Sequence, residues 1–262
     1  MKFLLYLNLM LIFLLMNCQT QPETTPIQRD SGPRETIQIS LSVIDLTASL
    51  KFYSQLGFRI LTADVNASVP WAFISDGSLL FMLSQNEFPS PALVYYTPNF
   101  NQKIQNSGDF RLLSNESKKT KTAISTSPEG IGITLIETKS QFLPSLPAET
   151  SILTGSFKEL SISVPDTETS RMFWTRMGFR HQSLTSAPPF ILSDNFLTIG
   201  FYLEADFSSP ALTYQNTQLD TAFLKMQSLG LRTQALRNKD NHTLRELRVV
   251  SPDGQLLRMV SE

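Results

Sequence analysis

Residues 40–59 of this 262-residue chain return as residues 161–180. At an offset of 121, nine of the twenty positions are identical: Ser40, Ser42, Val43, Asp45, Ser49, Phe52, Gly57, Phe58 and Arg59. Further along, Ser90-Pro91-Ala92-Leu93 recurs as Ser209-Pro210-Ala211-Leu212, and Ser127-Pro128-Glu129-Gly130 as Ser251-Pro252-Asp253-Gly254. Matches that keep their order along a chain mean one structural unit used twice. The length then divides into two domains of about a hundred residues each, a usual domain size.

The repeated stretch has a legible local structure. Ile37, Ile39, Leu41 and Val43 alternate with Gln38, Ser40 and Ser42, the period of a half-buried strand. Gln38 therefore shares a face with Ser40 and Ser42, opposite the apolar face that must pack on a helix. Asp45 is placed to cap that helix. Leu46, Leu50, Tyr53 and Leu56 follow at helical spacing, and Gly57 stands where a helix end wants a left-handed residue. The second copy repeats the scheme with Leu160, Ile162 and Val164, then Asp166, Phe173, Met177 and Gly178. Strand-like runs follow at 58–63, 72–75 and 79–83. A second set has strands over 93–96, 110–113 and 132–136, with a short helix over 100–106. Each copy thus reads as βαβββ twice.

The expected domains are 36–140 and 156–262, joined by a linker over 141–155 that lacks periodicity and contains Pro144 and Pro147. Ahead of them, Lys2 is followed by an apolar run up to Met16. That run is short for a membrane span of about 20 residues and matches the apolar region of an export signal. Residues 19–35, rich in Gln, Thr, Pro and Ser, read as a flexible tether. Cys18 is the only cysteine, which excludes a disulfide framework within the chain and any multi-cysteine metal site. Lys plus Arg number 22 against 23 Asp plus Glu, a net charge of −1 that argues against a general nucleic-acid binder. A hydrophobic fraction of 41% suffices for a packed core.

Two resemblances follow from these residues. Leu14-Leu15-Met16-Asn17-Cys18 resembles a bacterial lipobox, with Asn17 in place of the usual small residue. It implies a lipoprotein-type signal peptide over 1–18, acylation of Cys18, and an exported, membrane-anchored protein at the periplasmic or cell surface; the alternatives are a plain signal peptide with a chance cysteine, or an uncleaved anchor. Strand–Asp–helix, Phe52-Tyr53, Leu56-Gly57-Phe58 and a Ser-Pro-Glu/Asp-Gly turn before the last strand together resemble the vicinal oxygen chelate superfamily. Glyoxalase, extradiol dioxygenases, fosfomycin-resistance enzymes and bleomycin-binding proteins belong to it. The resemblance covers 36–262, twice over. It implies an α+β fold of tandem βαβββ units forming cupped mixed sheets with helices on the convex face.

The same resemblance implies metal ligands on the first, fourth, fifth and eighth strands of each cup. In this chain those positions are Gln38, Met82, Ala92 and Thr134 in copy one, and Glu159, Gly200, Ala211 and Arg258 in copy two. A divalent ion needs three or four N, O or S donors, commonly imidazole and carboxylate. Neither quartet offers more than one good ligand, and a guanidinium repels a cation. The two histidines, His181 and His242, fall at none of these positions.

With the first and eighth strands adjacent, as the resemblance implies, Glu159 and Arg258 would bridge where the ion would be. Arg258 would then lock the cup or meet an anionic ligand in bidentate fashion; the alternative is a solvated residue at a strand end. Trp71 and Trp174 are candidates for an aromatic pocket or, more simply, for core. The basic run Ser117-Lys118-Lys119-Thr120-Lys121 is read as a loop tip, with anionic headgroups as the alternative partner. No Ser-His-acid set or Gly-rich phosphate loop is evident.

The expected function is binding or sequestration of a small molecule in a concave cavity, with no cofactor and no catalytic residues. The candidate lining is Gln38, Ser40, Thr134, Glu159, Ser161 and Arg258. Two alternatives stand beside it: a metal-dependent glyoxalase or dioxygenase with atypical ligands, and a surface interaction protein whose cups are filled with side chains. The expected partners are a small ligand and, through the lipid on Cys18, a membrane.

Overall fold

The computed structural model describes residues 35–261 apart from 108, 114–119, 139–142, 147–152, 183–188, 209 and 241. The signal segment, Cys18, the tether, most of the 141–155 linker and Ser117 to Lys119 of the basic run lie outside the described residues.

The first half forms one mixed sheet from β1 (Thr36–Ser42), β2 (Arg59–Asp64), β3 (Trp71–Ser75), β4 (Leu80–Ser84), β5 (Ala92–Thr97), β6 (Arg111–Leu113), β7 (Thr122–Thr126) and β8 (Gly132–Glu137). Its helices are α1 (Leu46–Gln55) and α2 (Phe100–Ser107). The second half repeats this with β9 (Ser156–Val164), β10 (Arg180–His181), β11 (Phe190–Ser193), β12 (Thr198–Leu203), β13 (Ala211–Gln215), β14 (Thr233–Arg237), β15 (Leu244–Val250) and β16 (Leu256–Val260). Its helices are α3 (Thr167–Arg176) and α4 (Leu219–Ser228). The strand orders are β2-β3-β4-β1-β5-β8-β7-β6 and β10-β11-β12-β9-β13-β16-β15-β14. Each sheet is thus two βαβββ units joined edge to edge through their first strands, β1 on β5 and β9 on β13, both antiparallel.

This order corrects one expectation. The eighth strand touches the fifth, not the first: β13 lies between β9 and β16. Strand β7 was also not legible in the sequence, because Thr122-Ala-Ile-Ser-Thr126 has only two adjacent apolar residues and no alternation.

Both repeated helices start and stop as their sequences dictate. The Asp45 carboxylate accepts from the Ala48 N–H, and the Asp166 carboxylate from Glu168 and Thr169. Gly57 and Gly178 follow the last turns with φ of 95° and 101°, conformations that cost a residue with a Cβ.

The core is continuous through both halves. Ile37, Ile39, Leu41, Leu93, Tyr95, Ile133 and Leu135 face it from the first sheet, and Leu160, Ile162, Leu212, Tyr214, Leu257 and Met259 from the second. Trp174 is fully buried there, packed on Phe173, Phe179 and Phe201, which settles it as core. Contacts between the halves are reciprocal. The Tyr95 hydroxyl donates to Asp194 (2.8 Å) and the Tyr214 hydroxyl to Asp76 (3.1 Å). The turn acid of each half also reaches the other's repeated helix: Asp253 accepts from the Ile44 N–H and the Ser49 hydroxyl, and Glu129 from Trp174 Nε1. Among the described residues no helix is long and apolar enough to cross a membrane.

Candidate functional site

The faces turned away from this core carry the candidate residues. Paired residues on neighbouring strands share a face. In the first sheet Gln38, Val94 and Thr134 lie in one row, and Met82 pairs with Ser40 one step along. In the second, Glu159, Thr213 and Arg258 form the equivalent row, and Gly200 pairs with Ser161. Ala92 and Ala211 pair with Ser40 and Ser161, so the fifth-strand members of the central rows are Val94 and Thr213. The shift is two residues, which keeps the face and moves the position along it.

The two concave faces have opposite character. In the first, Gln38 Nε2 donates to Ser40 Oγ (2.9 Å), and the Tyr96 hydroxyl donates to Gln38 Oε1 (3.1 Å). Buried Met82, Val94, Tyr96 and Ile136 close over this pair, with half-buried Phe73, Phe88, Leu113 and Leu143 packed against them. Trp71 stands edge-on to Phe73 at the rim of the same face. The cup is an apolar plug around one satisfied amide, and Thr134 is buried within it.

The second face is a network of charges. Glu159 Oε1 accepts from Ser161 Oγ (2.7 Å) and from the Tyr202 hydroxyl (2.5 Å), and Ser161 also bonds Thr213 (2.7 Å). Gly200 makes the room: a Cβ there would sit 2.5 Å from Glu159 Oε1. Arg258 does not pair with Glu159. Its Nε and Nη2 donate to the two Glu246 oxygens (2.8 and 3.1 Å), and its Nη1 reaches Thr213 Oγ1 (3.4 Å). The Arg258 guanidinium also lies 4.1 Å from the Phe207 ring centre. Arg248 donates from Nε to the same Glu246 (2.6 Å), and from Nη1 and Nη2 to the Asp206 carbonyl and carboxylate (2.8 and 2.9 Å). Glu159, Glu246, Arg248 and Arg258 are all buried, which removes the solvated strand-end alternative for Arg258. Glu246, Arg248 and Phe207 were not singled out in the sequence; the register of β15 against β16, unreadable without the structure, brings in the first two, and the β12–β13 connection folding back over the sheet brings in Phe207.

Protonation follows from these contacts. Burial alone would raise the Glu246 carboxyl, but hydrogen bonds from Arg258 and Arg248 outweigh it and hold the group below the usual range. Burial, with the Glu159 carboxylate beside it, pushes the Tyr202 hydroxyl well up, so it stays a proton donor. Its hydrogen bond to Arg248 holds Asp206 low. At neutral pH the face therefore holds two cations sharing one central carboxylate.

These residues do not fit a divalent metal. The second row offers one carboxylate, already engaged by two hydroxyl donors, and places a guanidinium in the same row. Among the described residues no group of three or more His, Cys, Asp or Glu could hold an ion. His181 pairs with Leu192, whose side chain is in the core, so it lies on the opposite face, and His242 sits in a turn with φ of 56°.

No family model and no curated protein matches the sequence. Solved structures do match. A catechol 2,3-dioxygenase superposes with a TM-score of 0.58 at 14% identity over 86% of each chain. Homoprotocatechuate 2,3-dioxygenase from Arthrobacter globiformis gives 0.56 at 13% identity, over 87% of this chain and 78% of that one. A Mn(II)-bound glyoxalase from Novosphingobium aromaticivorans gives 0.53 at 14%, over 87% and 81%. The chain has the vicinal oxygen chelate fold, in two sheets.

Proposed function

We propose that this protein binds a small molecule on its second concave face, without metal and without catalysis. One observation carries the reading: the two halves solve the same structural position in different ways. By register, Ile124 and Thr134 of the first sheet stand where Arg248 and Arg258 stand in the second, and Thr122 stands for Glu246. The fold therefore closes this face without charges. Burying an ionic cluster costs desolvation that apolar side chains avoid, so a cluster kept in one half alone needs another reason. Recognition of a charged or hydrogen-bonding ligand supplies it. The donor chemistry also weighs against the metal-dependent enzyme.

The test is a thermal-shift panel of small anions, cations and neutral aromatic compounds. It compares the natural chain with one carrying Glu246→Thr, Arg248→Ile and Arg258→Thr, the first half's residues. At least one class should raise the melting temperature of the natural chain and leave the variant unmoved. No shift in any class, or equal shifts in both chains, would sink the proposal.

The location belongs to the same reading: an exported protein held at a membrane surface by a lipid on Cys18. The apolar run ending at the only cysteine supports it. Radiolabelled fatty acid should enter the natural chain and be absent from Cys18→Ser; label in both, or in neither, would refute the anchor.

A further inference from the structure

The outer edge of Arg248 is already occupied by a carboxylate that does not belong to the sheet. Arg248 is nearly buried, its side chain 9% exposed, while its partner Asp206 is 73% exposed. Asp206 lies in the connection between β12 and β13 and holds Arg248 through both its backbone carbonyl and its side chain. Next to it, Phe207 lays its ring against Arg258 and edge-on to Tyr202. Beyond this turn opens a groove of about 720 Å³ whose lining includes Asp206, Phe207, Arg232, Gln234 and Arg248.

We propose that Asp206 is an internal stand-in for the ligand, and that the ligand is a small carboxylate which displaces it from Arg248. The inference rests on the binding reading above and names its chemistry. The Nη2 donor that Asp206 holds is charged and already takes a carboxylate oxygen, so what replaces Asp206 there must be an anion, and a carboxylate reproduces the bond it displaces. Asp206 is the exposed partner of this pair, so water competes for its carboxylate and the contact is weaker than one between two buried groups. Asp206 can therefore leave for solvent, whereas Glu246, buried between the two arginines, cannot. Arg232, exposed on the groove wall, adds a cation along the way in. Removal of the Asp206 side chain leaves the backbone carbonyl on Nη1 and opens Nη2.

The probe is benzoate, with benzamide as its neutral counterpart of the same shape. Asp206→Ala and Asp206→Asn should both bind benzoate about fivefold more tightly than the natural chain, the competition expected of one exposed pair. Adding Arg248→Met to Asp206→Ala should abolish the gain, and benzamide should bind none of them. Two Asp206 variants guard against a local packing defect, and both should melt within a few degrees of the natural chain. Equal benzoate affinity in the natural chain and the Asp206 variants overturns the inference, as does benzamide binding as well as benzoate. Should the natural chain instead bind cationic or neutral compounds on this face, the binding reading stands and the carboxylate falls. If neither the natural chain nor Asp206→Ala binds any class, both fall together.

Discussion

Glu246 is the point on which the charged face rests, and its removal has a calculable consequence. It accepts from Arg248 Nε at 2.6 Å and from Arg258 Nε and Nη2 at 2.8 and 3.1 Å, with both arginines buried. In Glu246→Gln two like charges face each other without the shared anion. The glutamine keeps one neutral oxygen acceptor for the two arginines and loses the charge; beyond it Arg258 keeps Thr213 and the Phe207 and Tyr202 rings, and Arg248 keeps the exposed Asp206. Removing one member of a buried ion network costs about 3–5 kcal/mol. The surviving Asp206 contact favours the lower end. At about 2–4 °C per kcal/mol for a chain of this size, the melting temperature should fall by about 6–12 °C. The triple replacement Glu246→Thr, Arg248→Ile, Arg258→Thr removes the cations together with the anion. It should melt closer to the natural chain than Glu246→Gln does, because it leaves neither arginine buried without its anion. The pH dependence has a definite sign. The Glu246 carboxyl lies below its ordinary 4.5 in the folded state, so the folded form binds fewer protons than the unfolded. Its stabilisation is full above that value and is lost as the pH falls through the folded one. The gap between Glu246→Gln and the natural chain should therefore narrow below pH 4.5. Circular-dichroism melts at pH 7 and in acid decide the matter. A single variant as stable as the natural chain, or a triple variant as unstable as the single, would refute the reasoning.

Other positions give independent checks. Gly200→Ala would press a methyl group onto the Glu159 carboxylate and should cost about 1–3 kcal/mol by denaturant unfolding; combining it with Glu159→Ala should cost less than the sum of the two. Asp76 is pushed above its ordinary 3.8 by burial, so the folded state holds its proton longer and stability is lost as the pH rises from 3.8 through the folded value. In Asp76→Asn that loss is absent, and its melting temperature should gain on the natural chain over that span and run parallel above it. Tyr214→Phe removes the hydroxyl that bonds Asp76 across the two halves and should cost about 1–2 kcal/mol by the same denaturant assay. Trp174→Ala, which empties a fully buried position, should cost about 3–5 kcal/mol; a loss under 1 kcal/mol would place the indole outside the core.

The fold was legible because its signals are local and repeated. Alternation in β1 and β9, the aspartate caps and the glycine stops each need only a few residues, and their recurrence at one offset fixed the duplication. The faces were legible for the same reason: Gln38, Ser40, Thr134, Glu159, Ser161 and Arg258 all lie on the concave sides. The pairing was not. Whether Arg258 meets Glu159 or Glu246 depends on β13 lying between β9 and β16 and on the register of β15, both long-range facts. The two-residue shift from Ala92 and Ala211 to Val94 and Thr213 has the same origin, since a strand of alternating residues gives the face but not the row. The contrast between an apolar and a charged cup was hidden too, because Glu246, Arg248 and Phe207 lie in stretches that matched no motif.

The central claim is that the second face works through its own charges and not through a metal. The most direct measurement is the metal content of the chain from residue 19 onward, purified without chelator or affinity tag and analysed by mass spectrometry for iron, manganese, nickel and zinc. The account predicts far less than one ion per chain, with no thermal shift on adding any of the four. About one ion per chain, together with a melting temperature raised by several degrees on its addition, would contradict it.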